Sequence, residues 1–405
     1  MTNSAQDRRW ISRRGLRAAS VALAFVVVLV LGLVATQSAQ AQTFADLYNF
    51  TGSSDGGYPY AGLVRDAAGN LYGTTYQGGS SGFGVVFKVD TKGTETVLHS
   101  FTGASEGEGP YAGLIQDAAG NLYGTTTYGG SSNCSDGCGV VFEVDPSGKE
   151  TVLYGFNGGT TDGCGPAAPL LRDKAGNLYG TTGECGASNY GTVFKLSKGG
   201  KETLLHSFAG GTSDGQYPYY GALIMDKAGN LHGVTDSGGV SGSGTLFKLS
   251  KSGKETLLHG FGGSGDGGLP FGGPVVDKDG NLYGTADIGG SADAGIVWKV
   301  SKKAKETVLH SFTGGSSDGA NPIAGVILDA KGNLYGQTSG GGTSGDGTVY
   351  ELNSKGTLTL LHSFDGSDGK SPWGGLVVRD AKGNLYGTAV YGGSGSYGTV
   401  WHITK

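Results

Sequence analysis

An all-β, seven-bladed propeller of four-stranded antiparallel blades is the fold class that this sequence predicts. Three observations predict it. One motif recurs seven times at a near-constant interval, and four short strand-like runs fill each interval. The last repeat also lacks its fourth run, and a matching run stands near the N-terminus.

The recurring motif is Asp-x-x-Gly-Asn-Leu-(Tyr/His)-Gly, and its copies are 51 to 56 residues apart. A fixed period of this length is typical of repeat architectures. The copies begin at Asp66, Asp117, Asp173, Asp226, Asp277, Asp329 and Asp380.

Each repeat carries four runs rich in Val, Leu, Tyr, Phe and Thr, separated by Gly, Asp and Asn. In the first repeat they read "AGLVRD", "NLYGTT", "GVVFKVD" and "TETVLHSF". These are strand and turn signals, and no helical periodicity follows residue 42. "DAAGN" supplies the Gly and Asp of a tight turn between the first two runs. Four antiparallel strands in about 50 residues make one propeller blade.

The ends of the mature chain predict how the ring closes. The last repeat stops at "GTVWHITK", after its third run, whereas "FADLYNFTG" at residues 44–52 matches the fourth-run sequence "TVLHSFTG" at residues 96–103. We therefore expect the N-terminal strand to complete the last blade, which removes open sheet edges.

Residues 1–41 have the pattern of a signal peptide: five arginines, an apolar run and the small-residue site "SAQAQ", with cleavage after Ala41. The alternative is an uncleaved membrane anchor, because the apolar run is nearly long enough to span a bilayer. "SRRGLR" also resembles a twin-arginine signal. We expect a secreted or periplasmic protein, or one anchored through this segment.

The charge of the mature chain argues against a nucleic-acid partner. Residues 42–405 contain 24 Lys and Arg against 33 Asp and Glu, a net charge of −9. Nucleic-acid binding needs a basic face.

The four cysteines are expected to form disulfides, because export places them in an oxidising compartment. Their positions predict the pairs Cys164–Cys185 and Cys134–Cys138, which would staple neighbouring loops. A zinc site is disfavoured because no His lies in these loops.

Two sets of repeated polar residues have structural interpretations. Five His and two Tyr precede the Phe that ends each fourth run, and neighbouring blades would hold them too far apart to share a metal. Seven loop acids could suggest calcium, but each loop offers one acid while calcium needs six or more oxygens. We therefore expect turn capping and neither a metal nor a cofactor.

The longer loops join the second to the third strand and the fourth strand to the next blade, and all emerge on one face, here named the loop face. This face is the candidate binding face. Aromatic residues follow the repeated Pro in five blades and could bind sugar rings, or could merely wedge between blades. The binding candidates are Tyr60, Tyr111, Tyr219, Phe271 and Trp373, with the carboxylates Glu184, Asp236 and Asp287.

The signature "DxAGNLYGTT…GGxxxxGTVFKL…GKETxLHSF…GxxDGxxPxAGLI" resembles the GloVer repeat of bacterial choice-of-anchor tandem-repeat proteins over residues 44–405. The resemblance implies an exported bacterial repeat protein and brings no activity, cofactor or catalytic residue with it. Members often end in an anchoring segment, and no such tail follows the last strand here.

Three functional hypotheses follow. The first is a non-enzymatic, monomeric module that binds a carbohydrate or cell-surface ligand on the loop face. The second is a glycan-active hydrolase or lyase, in which Glu184, Asp236 and Asp287 would work beside Arg65, Arg172 or Arg379. The third is a purely structural envelope protein. No catalytic residue can be assigned from the sequence.

Overall fold

Seven four-stranded antiparallel sheets form the structure, a computed structural model that describes residues 42–373 and 375–405. Thr43–Thr404 constitute one unit. The predicted propeller is therefore confirmed. The signal-peptide and anchor predictions for residues 1–41 lie outside the described residues. Within the described residues, no helix is long and apolar enough to cross a membrane.

The strands of each blade follow one another in sheet order, and only blade 7 takes its fourth strand from the N-terminus. The first strands are Val64–Arg65, Ile115–Gln116, Leu171–Arg172, Ile224–Met225, Val275–Val276, Ile327–Leu328 and Val378–Arg379. The second strands are Leu71–Thr75, Leu122–Thr126, Leu178–Thr182, Leu231–Thr235, Leu282–Ala286, Leu334–Thr338 and Leu385–Ala389. The third strands are Val85–Val89, Val140–Val144, Thr192–Leu196, Thr245–Leu249, Ile296–Val300, Thr348–Leu352 and Thr399–Thr404. The fourth strands are Glu95–Ser100, Glu150–Gly155, Glu202–Ser207, Glu255–Gly260, Glu306–Ser311, Leu358–Ser363 and Thr43–Asn49.

Short secondary-structure elements lie in the loops of the loop face. Three two-residue strand pairs join the two loops of blades 3, 4 and 6, and one 3-10 helix spans Ala104–Glu106. The pairs are Gly163–Cys164 with Glu184–Cys185, Gly215–Gln216 with Ser237–Gly238, and Gly319–Ala320 with Gly340–Gly341.

The N-terminal strand closes the ring as predicted. It runs antiparallel to the third strand of blade 7, with Phe44 opposite Ile403 and Asn49 opposite Thr399. The pairing skips one residue between Asp46 and Tyr48. The six continuous blades have the same irregularity at the equivalent point, so the N-terminal strand reproduces the local geometry of a fourth strand.

Aromatic pairs fill the space between neighbouring blades. In blade 1, fully buried Phe101 packs edge-on against Phe142 of blade 2, with ring centroids 5.1 Å apart. An equivalent pair joins every neighbouring pair of blades, including Phe364 and Trp401, which join blades 6 and 7. Burial of these rings stabilises the contacts between blades.

The core rings leave no room for a side chain at the glycine in the middle of each second strand. A Cβ on Gly124 would lie 2.6 Å from the ring of Phe142 in its own blade. The same clash, against Phe, Trp or Tyr, would occur at the equivalent glycine of every blade. A side chain therefore cannot be added there without displacing the core ring.

Candidate functional site

The repeated loop acids cap their own loops, as expected from the sequence. In blade 4, Asp214 accepts a hydrogen bond from the backbone N–H of Ala209 at 2.8 Å, and His206 Nε2 lies 3.3 Å away. Where Tyr154 replaces His, its hydroxyl donates to Asp162 at 2.8 Å. Tyr and His are thus interchangeable because either can donate to the acid that orders the loop.

The aromatic residues after the repeated prolines pack mainly against one another. Tyr60 stacks on Tyr111, with ring centroids 4.4 Å apart and an interplanar angle of 17°. Trp373 lies 5.3 Å from Tyr60 and 6.0 Å from Tyr111. These three residues and Tyr220 make up the aromatic cluster of the loop face.

Tyr220 links the cluster together, although sequence reasoning missed it. Its ring lies 5.4 Å from Tyr111, 6.0 Å from Trp373 and 5.6 Å from Phe271. It stands one residue beyond the repeated aromatic position, where other blades have Ala or Gly. That departure from the repeat was its only signal in the sequence.

A cavity of about 470 Å³ opens beside the aromatic cluster, over blade 3; we name it the loop-face pocket. Its lining includes five tyrosines and two carboxylates. They are Tyr76, Tyr111, Tyr128, Tyr219, Tyr220, Asp136 and Glu184.

The pocket exists because blade 3 departs from the repeat. Ala167 stands where five other blades carry an aromatic residue, and Gly165 stands where five carry a side chain before the proline. A Cβ on Gly165 would meet nothing within 4 Å. The missing side chains leave the space that Tyr219 and Tyr220 of blade 4 border.

Glu184 and Tyr219 meet at the edge of this pocket. The Tyr219 hydroxyl donates a hydrogen bond to Glu184 Oε1 at 2.7 Å. Gly183 makes this possible, because a Cβ there would lie 2.0 Å from the Tyr219 ring. Burial, together with the Glu184 contact, raises the pKa of Tyr219 well above its usual range, so the hydroxyl remains a donor.

Asp236 is a buried acid near the same tyrosines. Its side chain is 7% exposed, and burial raises its pKa well above the usual value. Burial and the Asp236 charge raise the pKa of Tyr220 to about 12. Asp236 therefore borders the wall formed by Tyr219 and Tyr220.

Asp287 lies in another environment, facing blade 6. Burial raises its pKa, whereas a hydrogen bond with the Asn321 side chain lowers it. No hydrogen bond joins Asp287, Asp236 and Glu184 to one another within residues 42–373 and 375–405. The structure thus associates Glu184 and Asp236 through Tyr219 and leaves Asp287 with Asn321.

The three arginines proposed to assist these acids lie at the opposite ends of the first strands, on the face of tight turns. Each guanidinium covers a tyrosine of the preceding blade, as Arg172 covers Tyr123 at 5.5 Å. Arg172 also lies 3.7 Å from Asp117, a tight-turn acid. The arginines are therefore placed for packing between blades, away from the loop-face carboxylates.

A second cavity, of about 580 Å³, lies on the tight-turn face between blades 1 and 2. Its acids are already used by their own turns: Asp117 accepts from the backbone of Asn121, and Asp145 from that of Lys149. These two acids are therefore committed to turn capping.

Two disulfides support the loop-face pocket, and they are the pairs expected from the sequence. Cys134–Cys138 and Cys164–Cys185 have Cα atoms 5.2 and 5.4 Å apart. Both lie beside Gly158, and Cys134 and Cys164 line the pocket. In the described part of the chain, the only close group of three potential metal ligands consists of these bonded cysteines, which cannot bind a metal as thiolates.

The sequence profile of the Gloeobacter/Verrucomicrobia repeat matches residues 31–226 and 219–405. The chain belongs to this repeat family. The two matched segments together cover all seven blades, so family membership extends to every repeat. No curated protein is detectably similar in sequence.

Solved structures similar to this repeat-family chain share its fold at low sequence identity. Virginiamycin B lyase from Staphylococcus aureus has a TM-score of 0.55 and 11% identity, over 90% of this chain and 99% of the lyase. The extracellular domain of a candidate one-component system from B. thetaiotaomicron also has a TM-score of 0.55, with 12% identity over 89% of this chain and 40% of that one. A candidate 6-phosphogluconolactonase from Bacteroides uniformis has a TM-score of 0.50 and 17% identity, over 81% and 89% of the two chains. At such identities the likeness concerns the fold alone.

Proposed function

We propose that this protein is an exported, monomeric binding module that takes a carbohydrate ligand into the loop-face pocket. The observation that carries the proposal is the pocket itself: about 470 Å³ in volume, it is walled by five tyrosines at blade 3, one of the two blades where the aromatic repeat is interrupted and the one where Ala takes the aromatic position. Tyrosine rings offer flat apolar surfaces to sugar rings, while their hydroxyls bond to sugar hydroxyls.

Several features support ligand binding over a purely structural role. The blade core is nearly the same in every repeat, so the fold itself does not require blade 3 to differ. The disulfides stiffen the pocket wall, which reduces the entropy lost when a ligand binds. They also agree with an oxidising, extracytoplasmic location.

The test is to refill the pocket with the side chain that the repeat favours. Ala167→Tyr restores the aromatic residue found at this position in blades 1, 2 and 4. We expect it to leave folding intact and to weaken binding of any glycan identified on an array by at least about tenfold. Ile323→Tyr makes the same change in blade 6, away from the pocket, and is the matched control. Equal binding by Ala167→Tyr and the wild type would exclude the pocket.

A hydrolase or lyase is the second candidate, and Asp236 is the observation that favours it. An acid whose pKa is raised by burial can donate a proton to a leaving group. Incubation of array-positive glycans with the protein, followed by mass spectrometry, would detect products. Loss of those products in Asp236→Asn, with binding retained, would support this function; intact glycans would exclude it for those substrates.

A further inference from the structure

The basic residues of this protein are almost entirely excluded from its loop face, whereas acidic residues occur on both faces. The loop-face segments contain fifteen acidic residues and a single basic one, Lys370, whose Nζ lies 2.9 Å from Asp346. All the other Lys and Arg of residues 42–405 lie in strands, in tight turns or at the C-terminus. No His occurs in the loop-face segments either. A face with one sign of charge attracts ligands of the opposite sign.

The lining of the loop-face pocket is also acidic. Among the residues that the structure describes, the lining contains no Lys, Arg or His, but it includes Glu184 and Asp136. Glu184 is exposed, and Oε1 accepts from Tyr219 while Oε2 makes none of the hydrogen bonds found in the described residues. One carboxylate oxygen thus remains for a ligand donor.

The tyrosines add a second attraction for positive charge. The faces of aromatic rings carry negative electrostatic potential and attract ammonium groups, most strongly where water is excluded. Tyr111 and Tyr220 are partly buried in the aromatic cluster, and Tyr76 packs against Tyr111 with ring centroids 5.7 Å apart. Several rings therefore border one small volume next to a carboxylate.

We propose that the loop-face pocket selects an organic ammonium group, such as the free amine of an amino sugar or a quaternary ammonium. The proposal rests on the proposed function for its carbohydrate form, because it names the chemical class of sugar that this pocket takes. An anionic sugar is disfavoured, since no cation in the lining would offset the repulsion of Glu184, Asp136 and the other loop-face acids.

The experiment is calorimetric titration of the mature protein at pH 6 with three ligands: a tetramer of glucosamine, the N-acetylated tetramer, and choline. We expect the glucosamine tetramer to bind at least about tenfold more tightly than the N-acetylated form. Raising the salt from about 0.05 M to about 0.5 M should weaken binding. Glu184→Gln should weaken it about tenfold. Asp279→Asn, which removes an exposed acid from the tight-turn face, should have no effect.

The outcomes separate this inference from the proposed function. Equal binding of both tetramers, unaffected by Glu184→Gln, would overturn ammonium selection and leave carbohydrate binding in place. Binding of choline alone would support ammonium selection, and the glycan array would then decide the carbohydrate function. Binding of none of the three would overturn the inference, and the glycan array would still test the proposed function.

Discussion

Tyr219 of blade 4 reaches across to blade 3 and donates a 2.7 Å hydrogen bond to Glu184. This contact fixes both the orientation of the carboxylate and one wall of the loop-face pocket. It depends on Gly183, since any Cβ at that position would occupy the space of the Tyr219 ring.

Tyr219→Phe should weaken ligand binding by about fivefold, because Glu184 loses the donor that orients it while the ring remains. Tyr217→Phe is the matched control: its ring stacks on Tyr219 at 5.8 Å, and its hydroxyl makes none of the hydrogen bonds found in the described residues. Calorimetric titration measures both. Equal losses in the two variants would mean that the Glu184 contact has no special role.

Removing the disulfide Cys164–Cys185 should affect the protein more than removing Cys134–Cys138. The first closes a sequence separation of 21 residues and the second one of 4, and chain-entropy arguments predict about 3 and about 2 kcal/mol. We expect the double Cys→Ala variant of the longer loop to lose more stability in urea unfolding and also to bind ligand less tightly. A larger effect from the Cys134–Cys138 pair would contradict this ranking.

The repeat explains why the fold was predictable and much of the site was not. Seven copies of one strand pattern predict the blade number, the strand order and the closure by residues 43–49. Each copy predicts the same four strands, so the copies support one another. The pocket arises instead from what blade 3 lacks. The absence of a side chain at Gly165 and of an aromatic ring at Ala167 becomes informative only when the neighbours of these residues are known.

The roles of Tyr220 and of the first-strand arginines could be assigned only from the structure. Tyr220 lies one residue beyond the repeated aromatic position, and comparison between repeats shows only that blade 4 departs there. The structure shows that Tyr220 joins the aromatic cluster to Phe271. The sequence also predicted that the arginines at the ends of the first strands would act beside the loop-face carboxylates. The direction of these strands places the arginines on the tight-turn face instead.

Phe44 anchors the strand that closes the ring. Its ring stacks on His362 with centroids 3.6 Å apart and meets Phe364 edge-on at 5.7 Å, so it connects blade 7 to blade 6. Phe44→Ala should lower the free energy of unfolding by about 2 kcal/mol, less than for a fully buried ring because Phe44 is half-buried. Val276→Ala, at an exposed position on a first strand, should change it by less than about 0.5 kcal/mol. Equal urea midpoints for wild type and Phe44→Ala would show that this contact does not hold the ring closed.

The glutamates that begin five of the fourth strands should make stability depend on pH. Burial and an acid in the loop that enters the same blade raise the pKa of each to about 7, and one oxygen of each is buried without a hydrogen-bond partner among the described residues. They are Glu95, Glu150, Glu202, Glu255 and Glu306. An acid whose pKa is raised by folding holds its proton longer in the native state, so its contribution to stability is complete below about pH 4.5 and is lost as the pH rises through about 7.

Buried histidines have the opposite effect on stability, which they lower as the pH falls. Burial lowers the pKa of His99, His259 and His362 below 6.5, so their contribution to stability is lost as the pH falls below that value. Above pH 6.5 the glutamates dominate, and we expect stability to fall between pH 6.5 and about 8.

Glu255→Leu tests the assignment of this pH dependence, because blade 6 already carries Leu358 at the equivalent position. The variant leaves the neighbouring charges in place. Asp214 of blade 4 raises the pKa of Glu255 in the wild type, and His206 lowers it. The variant should be more stable than wild type at pH 8, where Glu255 is ionised and half-buried, and the difference should shrink at pH 5, where the wild-type residue is neutral. Urea unfolding at both pH values measures this, with Asp279→Asn as the charge-matched control on an exposed turn. A gain that is the same at pH 5 and pH 8 would assign the effect to apolar packing and remove ionisation of Glu255 as its cause.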